Sequence, residues 1–497
     1  LGQQLPLDEW LRIAMPGMTE WKDKKVVVIG AARQGIALGR FLTLHGARVV
    51  INDKKPAGQL EEARQALNDL DPQAASKISW VAGAHPLELL EGTDMLCVSG
   101  GVPLEIPLIQ EAKQRGIKLT NDSQIFLEEC PCMTIGITGS AGKTTTTSLM
   151  GKILETHIHF RDTQPIFHNV WVGGNIGSPL LAVVDQMEKD DLAIMELSSF
   201  QLELISIPVN IACILNITPN HLDRHANMQA YIAAKRRILE YQTSRDTAVL
   251  GSDDPIAWSL LDEVRGKVVS FGGKEPPAGM QGAFMDGEWL SLRDGGETEH
   301  VVRQLEIPLR GWHNVENVLA AMAISLVVGI PVGNMRQAIL SFAGVAHRLE
   351  WVNFWRGADW YNDSIATAPE RVMAAIHSFE SPEDIGRPIV LLAGGRDKNL
   401  PWDELAELIR TRVDHLILFG EAAEKITAVV NRGETSTRPY TIESFTGLEE
   451  AVNAAARIVE TGDIVLLSPG GTSFDEFRDF EERGEAFKRW VHDLSCK

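Results

Sequence analysis

The run Gly136-Ile137-Thr138-Gly139-Ser140-Ala141-Gly142-Lys143-Thr144-Thr145 has the residue types of a loop that wraps phosphate. Glycines let successive backbone N–H groups converge on phosphate oxygens. Lys143 would set a cation on the terminal phosphates, and the Thr144 hydroxyl is a ligand type for Mg²⁺. A strict P-loop has glycine at the position of Ile137, so here the loop opens later, at Gly139. Strand-like residues precede the loop and a Thr-rich helix start follows it, an order that opposes a chance glycine turn.

Further along, Glu196 ends an apolar strand-like run, where a P-loop ATPase carries its metal-directed carboxylate; a surface glutamate fits the same residue. His221 follows another strand end and suits a second divalent ion or a structural role. Lys235 lies in a helical stretch and by itself reads as a solvated lysine. Asn314 and Asn317 open an apolar helix, where they can read an adenine edge or cap the helix. Arg348 and Asp363 suit phosphate and ribose contacts or an ordinary surface ion pair. Near the N-terminus, Gly30-Ala31-Ala32-Arg33-Gln34-Gly35 follows the strand-like Lys25–Ile29. A dinucleotide fingerprint would have glycine at position 32, where Ala32 stands. A helix N-terminus there still attracts phosphate, and Asp53, ending the next strand, can accept from a ribose or base. NAD, another nucleotide or a purely structural turn all remain open on these residues.

These residues need elements to hold them. Apolar strand-like runs alternate with helical patterns along most of the chain, which predicts α/β with largely parallel sheets. Strands are expected at 25–29, 48–51, 133–135, 389–393 and 464–467, with helices at 36–45 and 318–328. The Gly-rich stretch from Gly272 to Gly296 reads as loops or a small hairpin. The chain's 497 residues suggest about three domains. With 47 Lys plus Arg against 67 Asp plus Glu, the net charge of −20 disfavours nucleic acid and anionic membranes as partners. No apolar run reaches the roughly 18 residues of a membrane span, and no secretory pattern opens the sequence. The five cysteines have no metal-ligand spacing, and Cys130-Pro131-Cys132 is not the two-spacer redox motif. They are expected to be incidental buried thiols of a cytoplasmic protein.

Taken in order, these segments resemble the Mur ligase family over nearly the whole chain from about residue 24. The resemblance rests on Gly139–Thr145, Gly173-Gly174-Asn175-Ile176-Gly177, Glu196–Leu202, Asn216-Ile217-Thr218 with His221–His225, His313-Asn314 with Glu316-Asn317, and His347–Glu350. The ending Leu467-Ser468-Pro469, Ser473-Phe474-Asp475 and Phe480–Gly484 points to the branch that adds D-glutamate.

The resemblance implies an α/β fold of three domains: 1–131, Rossmann-like, binding the UDP substrate after an extension at 1–23; 132–344, a P-loop ATPase type; and 345–497, Rossmann-like, binding the amino acid. It implies an ATP-dependent amide-forming ligase of peptidoglycan precursor synthesis, a cytoplasmic monomer taking UDP-N-acetylmuramoyl-L-alanine, D-glutamate and ATP. Arg33, Gln34, Asp53, Gly101 and Asn175 would hold the UDP substrate. Gly139, Ser140, Ala141, Gly142, Lys143, Thr144 and Thr145, with Asn314, Asn317, Arg348 and Asp363, would hold ATP. Thr144 and Glu196 would ligate one Mg²⁺, and His221 a second, helped by Lys235 as a CO₂-derived carbamate. Lys143, Glu196, His221 and Lys235 would be the catalytic set. Thr367, Lys398, Ser473, Phe474 and Phe480 would surround the incoming amino acid.

Several residues depart from the family pattern. Ser140 and Ala141 stand where the family has Thr or Ser followed by Asn, which predicts lost loop contacts. Gly100 replaces a proline, which predicts a looser turn, and Asn220 replaces an aspartate. Ile365, Ala368 and Gly470-Gly471-Thr472 change the neighbourhood expected for the amino acid. They leave L-glutamate or another amino acid as an alternative substrate. A silent nucleotide-binding protein is the reading from a different class, opposed by the intact Glu196, His221 and Lys235.

Overall fold

The computed structural model describes residues 20–159, 166–175, 178–220, 224–380, 384–398, 400–432 and 438–495. Three sheets organise them. The first joins β1 (Lys25–Ile29), β2 (Arg48–Asp53), β3 (Ser79–Ala82), β4 (Met95–Val98) and β5 (Lys118–Thr120), all parallel, in the order β3-β2-β1-β4-β5. The second contains β6 (Met133–Thr138), β7 (Val170–Gly174), β8 (Leu192–Glu196), β9 (Ile211–Ile214), β10 (Thr247–Gly251), β11 (Lys267–Gly272), β12 (Gln281–Asp286), β13 (Trp289–Asp294) and β14 (Glu297–Arg303). Its order is β14-β13-β12-β11-β10-β9-β6-β8-β7. The Gly-rich stretch expected as loops or a hairpin is the antiparallel meander β12–β14 at its edge. The third contains β15 (Glu350–Trp355), β16 (Ala358–Asn362), β17 (Ile389–Gly394), β18 (His415–Phe419), β19 (Thr441–Phe445) and β20 (Ile464–Gly470), ordered β15-β16-β20-β17-β18-β19, with only β15 antiparallel.

Central strands such as β6, β17 and β20 are buried along their whole length. That is why they read as continuous apolar runs and not as alternation. Each fully buried Leu or Ile on them contributes about 1.5–3 kcal/mol by leaving water. Five helices bear on the site: α1 (Arg33–Leu44), α2 (Lys143–Ile158), α3 (Met228–Glu240), α4 (Trp312–Val328) and α5 (Phe480–Leu494). The first starts three residues before the expected Ile36, because Ala32 already accepts the Ile36 N–H.

One buried apolar cluster runs through the first two sheets, joining Leu38, Phe41 and Phe126 to Leu181, Ile214 and Ile238. Trp21 packs into it, edge-on to Phe41 at 6.3 Å. Contacts accordingly divide the chain into two compact units, residues 1–307 with 313–341, and residues 308–312 with 342–497. The second unit has a separate apolar cluster on each face of its sheet. Among the described residues no helix is long and apolar enough to cross a membrane.

Parallel sheets present ligands at the carboxyl ends of their strands, where loops diverge. The sequence's candidate residues fall there in each sheet: Gly30 after β1, Gly101 after β4, Gly139 after β6, Glu196 ending β8, Asp363 after β16 and Lys398 after β17.

Candidate active site

β6 ends at Thr138, whose hydroxyl donates to Leu197 O at 2.8 Å. Two glycines of the following loop are demanded by their neighbours. A Cβ on Gly139 would stand 2.9 Å from Leu215 Cβ, and one on Gly142, at φ 84°, would collide with Asn317 Oδ1. The substitutions at 140 and 141 do not loosen the loop as expected. Ser140 Oγ donates to Thr218 O at 2.8 Å, accepts from the Thr218 N–H at 3.0 Å, and lies 3.0 Å from Tyr231 Oη. The Ala141 N–H donates to Asn216 Oδ1 at 2.9 Å, and Asn216 Nδ2 returns a bond to Ala141 O at 3.3 Å. Backbone groups thus hold a place where no side chain is needed. Lys143 folds back over the loop, donating to Gly139 O at 2.7 Å and Ser140 O at 3.4 Å. Thr145 is buried at the start of α2. No side chain caps α2, so the first N–H groups of the helix face the loop's hollow.

Glu196 is 2% exposed, which removes its reading as a surface residue. Thr144 Oγ1 donates to Glu196 Oε2 at 2.9 Å, and Asn175 Nδ2 donates to Glu196 Oε1 at 3.1 Å. Adjacent oxygens around an octahedral Mg²⁺ stand about 3 Å apart, so the Thr144–Glu196 pair has the spacing of two neighbouring ligands. Among the described residues no three His, Cys, Asp or Glu side chains converge. A metal here would depend on Glu196, a hydroxyl and phosphate oxygens.

Lys235 corrects a second expectation. It sits on the buried face of α3, in register with Tyr231, Ala234, Ile238 and Leu239, and is 1% exposed. Its Nζ donates to Gly139 O at 2.8 Å. Burial, and then the Lys143 cation, push its pKa down from 10.5 to about 6 while Glu196 pulls the other way. The amine is therefore uncharged at neutral pH. Asn227 caps α3 through the Ala230 N–H at 2.9 Å and so fixes the register that aims Lys235 inward.

Asn314 and Asn317 lie inside α4, which starts at Trp312, so neither is an N-cap. Asn317 is 5% exposed and donates to Asn314 Oδ1 at 3.1 Å. Its own Oδ1 lies 3.4 Å from Thr146 Oγ1, which stitches α4 to the phosphate loop's helix.

The turn after β1 is also made by close approach. Gly30 has φ 97°, and a Cβ on Gly35 would collide with Gly30 O. Asp53 already serves this turn: Oδ2 accepts the Ala31 N–H at 2.9 Å and Oδ1 the Lys55 N–H at 2.9 Å. Gln34 Oε1 accepts the Gly100 N–H at 3.0 Å. Proline at 100 would lack that donor, so the substitution ties the turn and does not loosen it. Arg33 opens α1, which has no side-chain cap, and Gly101 is exposed. Beside them a cleft is lined by Ser99, Gly100, Val102, Phe200, Glu203 and Arg224.

In the second unit, Asp363 is buried and accepts from Ser468 Oγ at 2.8 Å and the Leu349 N–H at 3.2 Å. Burial pushes its pKa up to about 7, against the pull of those bonds and of Arg348. Lys398 donates to Thr367 Oγ1 at 3.2 Å, and its pKa is lowered by desolvation and by the nearby Arg371 and Arg483. Ser473 is buried, and Phe480 meets His347 edge-on at 6.2 Å, whereas the Phe474 side chain is 60% exposed. Sequence reasoning passed over Arg371 and gave Arg483 no role beyond its place in the Phe480–Gly484 motif. Arg483 is fully buried on α5 and donates to Ser364 Oγ at 3.0 Å, Ser364 O at 2.8 Å and Gly471 O at 3.2 Å. Asn216 and Tyr231 were likewise given no role of their own around the phosphate loop. For Tyr231 and Lys235 the helical spacing with Ile238 was the available signal. His221, and Ile176 and Gly177 of the glycine motif, lie outside the described residues, as do residues 1–19.

Comparison with known proteins meets this geometry. Family models described as "Mur ligase MurD-like, N-terminal domain", "Mur ligase middle domain" and "Mur ligase, glutamate ligase domain" match residues 24–121, 137–325 and 347–471. The chain is 39% identical to a UDP-N-acetylmuramoylalanine–D-glutamate ligase of Symbiobacterium thermophilum, over 95% of this chain and 98% of that one. It is 37% identical to the enzyme of the same name from Clostridium tetani, over 95% and 97%. Its fold is similar to a crystal structure of MurF from Acinetobacter baumannii, with TM-score 0.54 at 17% identity, covering 92% of this chain and 87% of the other. With family models over most of its length and relatives matched nearly end to end, the chain belongs to the Mur ligase family.

Proposed function

We propose that this chain joins D-glutamate to UDP-N-acetylmuramoyl-L-alanine at the expense of ATP, through an acyl phosphate, as a cytoplasmic step of peptidoglycan precursor synthesis. The observation that carries the chemistry is the pair Thr144 Oγ1 and Glu196 Oε2, 2.9 Å apart at the mouth of a loop that also holds Lys143. A carboxylate is a poor acylating agent until it is phosphorylated, and phosphorylation brings two anions together. Lys143 and the loop N–H groups offset that repulsion and position the γ-phosphate in line. The residues fit Mg²⁺: Thr144 and Glu196 would hold one ion and His221 a second, and the metal would supply charge neutralisation on the phosphates. Lys235 fits carbamylation, because its uncharged amine is the form that adds CO₂; a carbamate there would turn a neutral amine beside the loop into an anionic ligand.

We assign Asn314, Asn317, Arg348 and Asp363 to the nucleotide. Arg33, Gln34, Asp53, Gly101 and Asn175 go to the UDP substrate, with domain limits near 131 and 344. Asp53 would act through the turn it ties. D-Glutamate carries two carboxylates. Lys398, bonded to Thr367 and with Arg371 and Arg483 nearby, offers the cations to meet them, and we assign Ser473 and Phe480 to the same substrate. Arg371 Nη1, donating to Ile365 O at 3.2 Å, places a charge beside Ile365. Phe474 would need to turn inward to join this set.

Product mass spectrometry with UDP-N-acetylmuramoyl-L-alanine, ATP and Mg²⁺ against D-glutamate, L-glutamate and a small amino-acid panel tests the assignment. Coupling to D-glutamate is expected. Coupling only to another amino acid would keep the ligase chemistry and overturn the substrate. ATP binding with no product from any of them would overturn the enzyme.

A further inference from the structure

Cys130-Pro131-Cys132 joins the helix Asp122–Glu129 to β6. Both side chains are buried, at 3% and 4% exposure, within the cluster that runs through the first two sheets. The expectation of incidental thiols overlooks their arrangement. Cys130 Sγ and Cys132 Sγ are 3.5 Å apart, in direct contact, and Cys130 Sγ is 3.7 Å from Cys132 O. A disulfide needs about 2.05 Å between sulfurs, so closure requires about 1.5 Å of travel, within the reach of side-chain rotation.

We propose that Cys130 and Cys132 are a dithiol redox site that closes to an intramolecular disulfide when it meets a small peroxide. The two sulfurs differ in chemistry. Either thiol can donate in the Sγ–Sγ contact; with Cys132 as donor the bond favours the Cys130 thiolate and lowers its pKa, while the Cys132 thiol is pushed up by that bond and by burial. Cys130 is thus the nucleophile and Cys132 the resolving thiol. Asp191 opposes both thiolates, and its carboxylate is already held by the Asn169 N–H and Nδ2, Trp171 Nε1 and the Glu188 N–H. Burial selects an oxidant the size of hydrogen peroxide over a bulky disulfide.

In the first step Cys130 sulfur attacks one peroxide oxygen and the O–O bond breaks. Hydroxide leaves, takes a proton and becomes water. Cys130 is oxidised by two electrons to the sulfenic acid, and the peroxide is reduced by two. Cys132 sulfur then attacks Cys130 Sγ and the S–O bond breaks. The departing hydroxide takes the Cys132 proton and leaves as a second water. In sum, two thiols and one hydrogen peroxide give one disulfide and two waters.

The buried Cys97 and Cys213 are internal controls, since burial holds their thiols well above the usual range. The full chain is treated with stepwise hydrogen peroxide, quenched, unfolded and alkylated, and its peptides are weighed. The peptide holding 130–132 should become two hydrogens lighter and resist alkylation at a rate about tenfold above the loss of Cys97 or Cys213 thiols. Dithiothreitol should reverse it. C132S should stop at a Cys130 sulfenic acid that dimedone traps, and C130S should keep its Cys132 thiol. A 130–132 peptide still doubly alkylated once methionines have oxidised would overturn the proposal. So would oxidation of Cys97 or Cys213 first, or sulfenic acid on Cys132 in C130S.

Discussion

The turn after β1 and the loop after β6 both leave a buried parallel strand, pass through a glycine at positive φ, 97° at Gly30 and 84° at Gly142, and enter a helix with no side-chain cap. Other helices of the chain are capped by Asn121, Asn227, Asp254 and Asp479. Leaving those N–H groups open costs each helix about 1 kcal/mol and keeps a positive pole available for an anion. The surroundings then diverge. The first turn is bound by a carboxylate, Asp53, and an amide, Gln34, each already spent on backbone N–H groups. The second is ringed by Lys143, Lys235, Thr144 and Glu196. Under the proposed function, one backbone device would serve recognition where its neighbours are tied to backbone, and chemistry where a lysine, a hydroxyl and a carboxylate gather at the loop.

The comparison breaks most sharply at Lys143. Lys143→Ala should lower ligation by about 10³-fold, read as phosphate release and as product, while binding of the UDP substrate measured by calorimetry stays within about twofold. Undiminished turnover would remove the loop from the chemistry.

Lys235→Met should lower turnover by about 10²-fold and stabilise the protein. Between about pH 6 and pH 10.5 the unfolded chain binds a proton on this amine that the folded chain does not, so the native protein gains stability as pH rises through that window. The substitution should flatten that slope and raise Tm at pH 7 by a few degrees, on the order of 2–4 °C per kcal/mol. Wild-type turnover should fall as pH drops below about 6. An unchanged Tm profile would mean the amine stays charged in the fold.

The smallest effect belongs to the first turn. Asp53→Asn weakens the bond to the Ala31 N–H, a matter of about 1 kcal/mol. KM for the UDP substrate should rise about fivefold, with kcat and KM for ATP unchanged. A fall in kcat of comparable size would erase the division between a recognising turn and a reacting one.

Much of this was legible along the chain because it is local. β1 and the glycine spacing after it, the order of strand, loop and helix around Gly139–Thr145, and the apolar runs of β17 and β20 are set by neighbours within a few residues. The buried face of α3 was also written in the spacing of Tyr231, Lys235 and Ile238, although a lysine within it reads as solvated until its neighbours are known. Asn314 and Asn317 were ambiguous because an asparagine suits a cap and a helix interior alike; the start of α4 at Trp312 decides it.

Other features depend on residues far apart in sequence. Thr144 meets Glu196 across 52 positions, Ser140 meets Thr218 across 78, and Arg483 meets Ser364 across 119. No local pattern predicts such pairs, because strand order and helix docking create them. Even adjacent residues could not reveal that the sulfurs of Cys130 and Cys132 touch, since the backbone path between helix and strand sets their side-chain directions. The amino-acid sequence by itself determined the α/β class, the glycine turns and the family. Tertiary packing decided which groups lose their water, and so made Lys235 an uncharged amine, Asp363 a carboxyl titrating near pH 7, and Glu196 a buried partner of Thr144. Desolvation is a property of the assembled surroundings, and only the assembled chain supplies them.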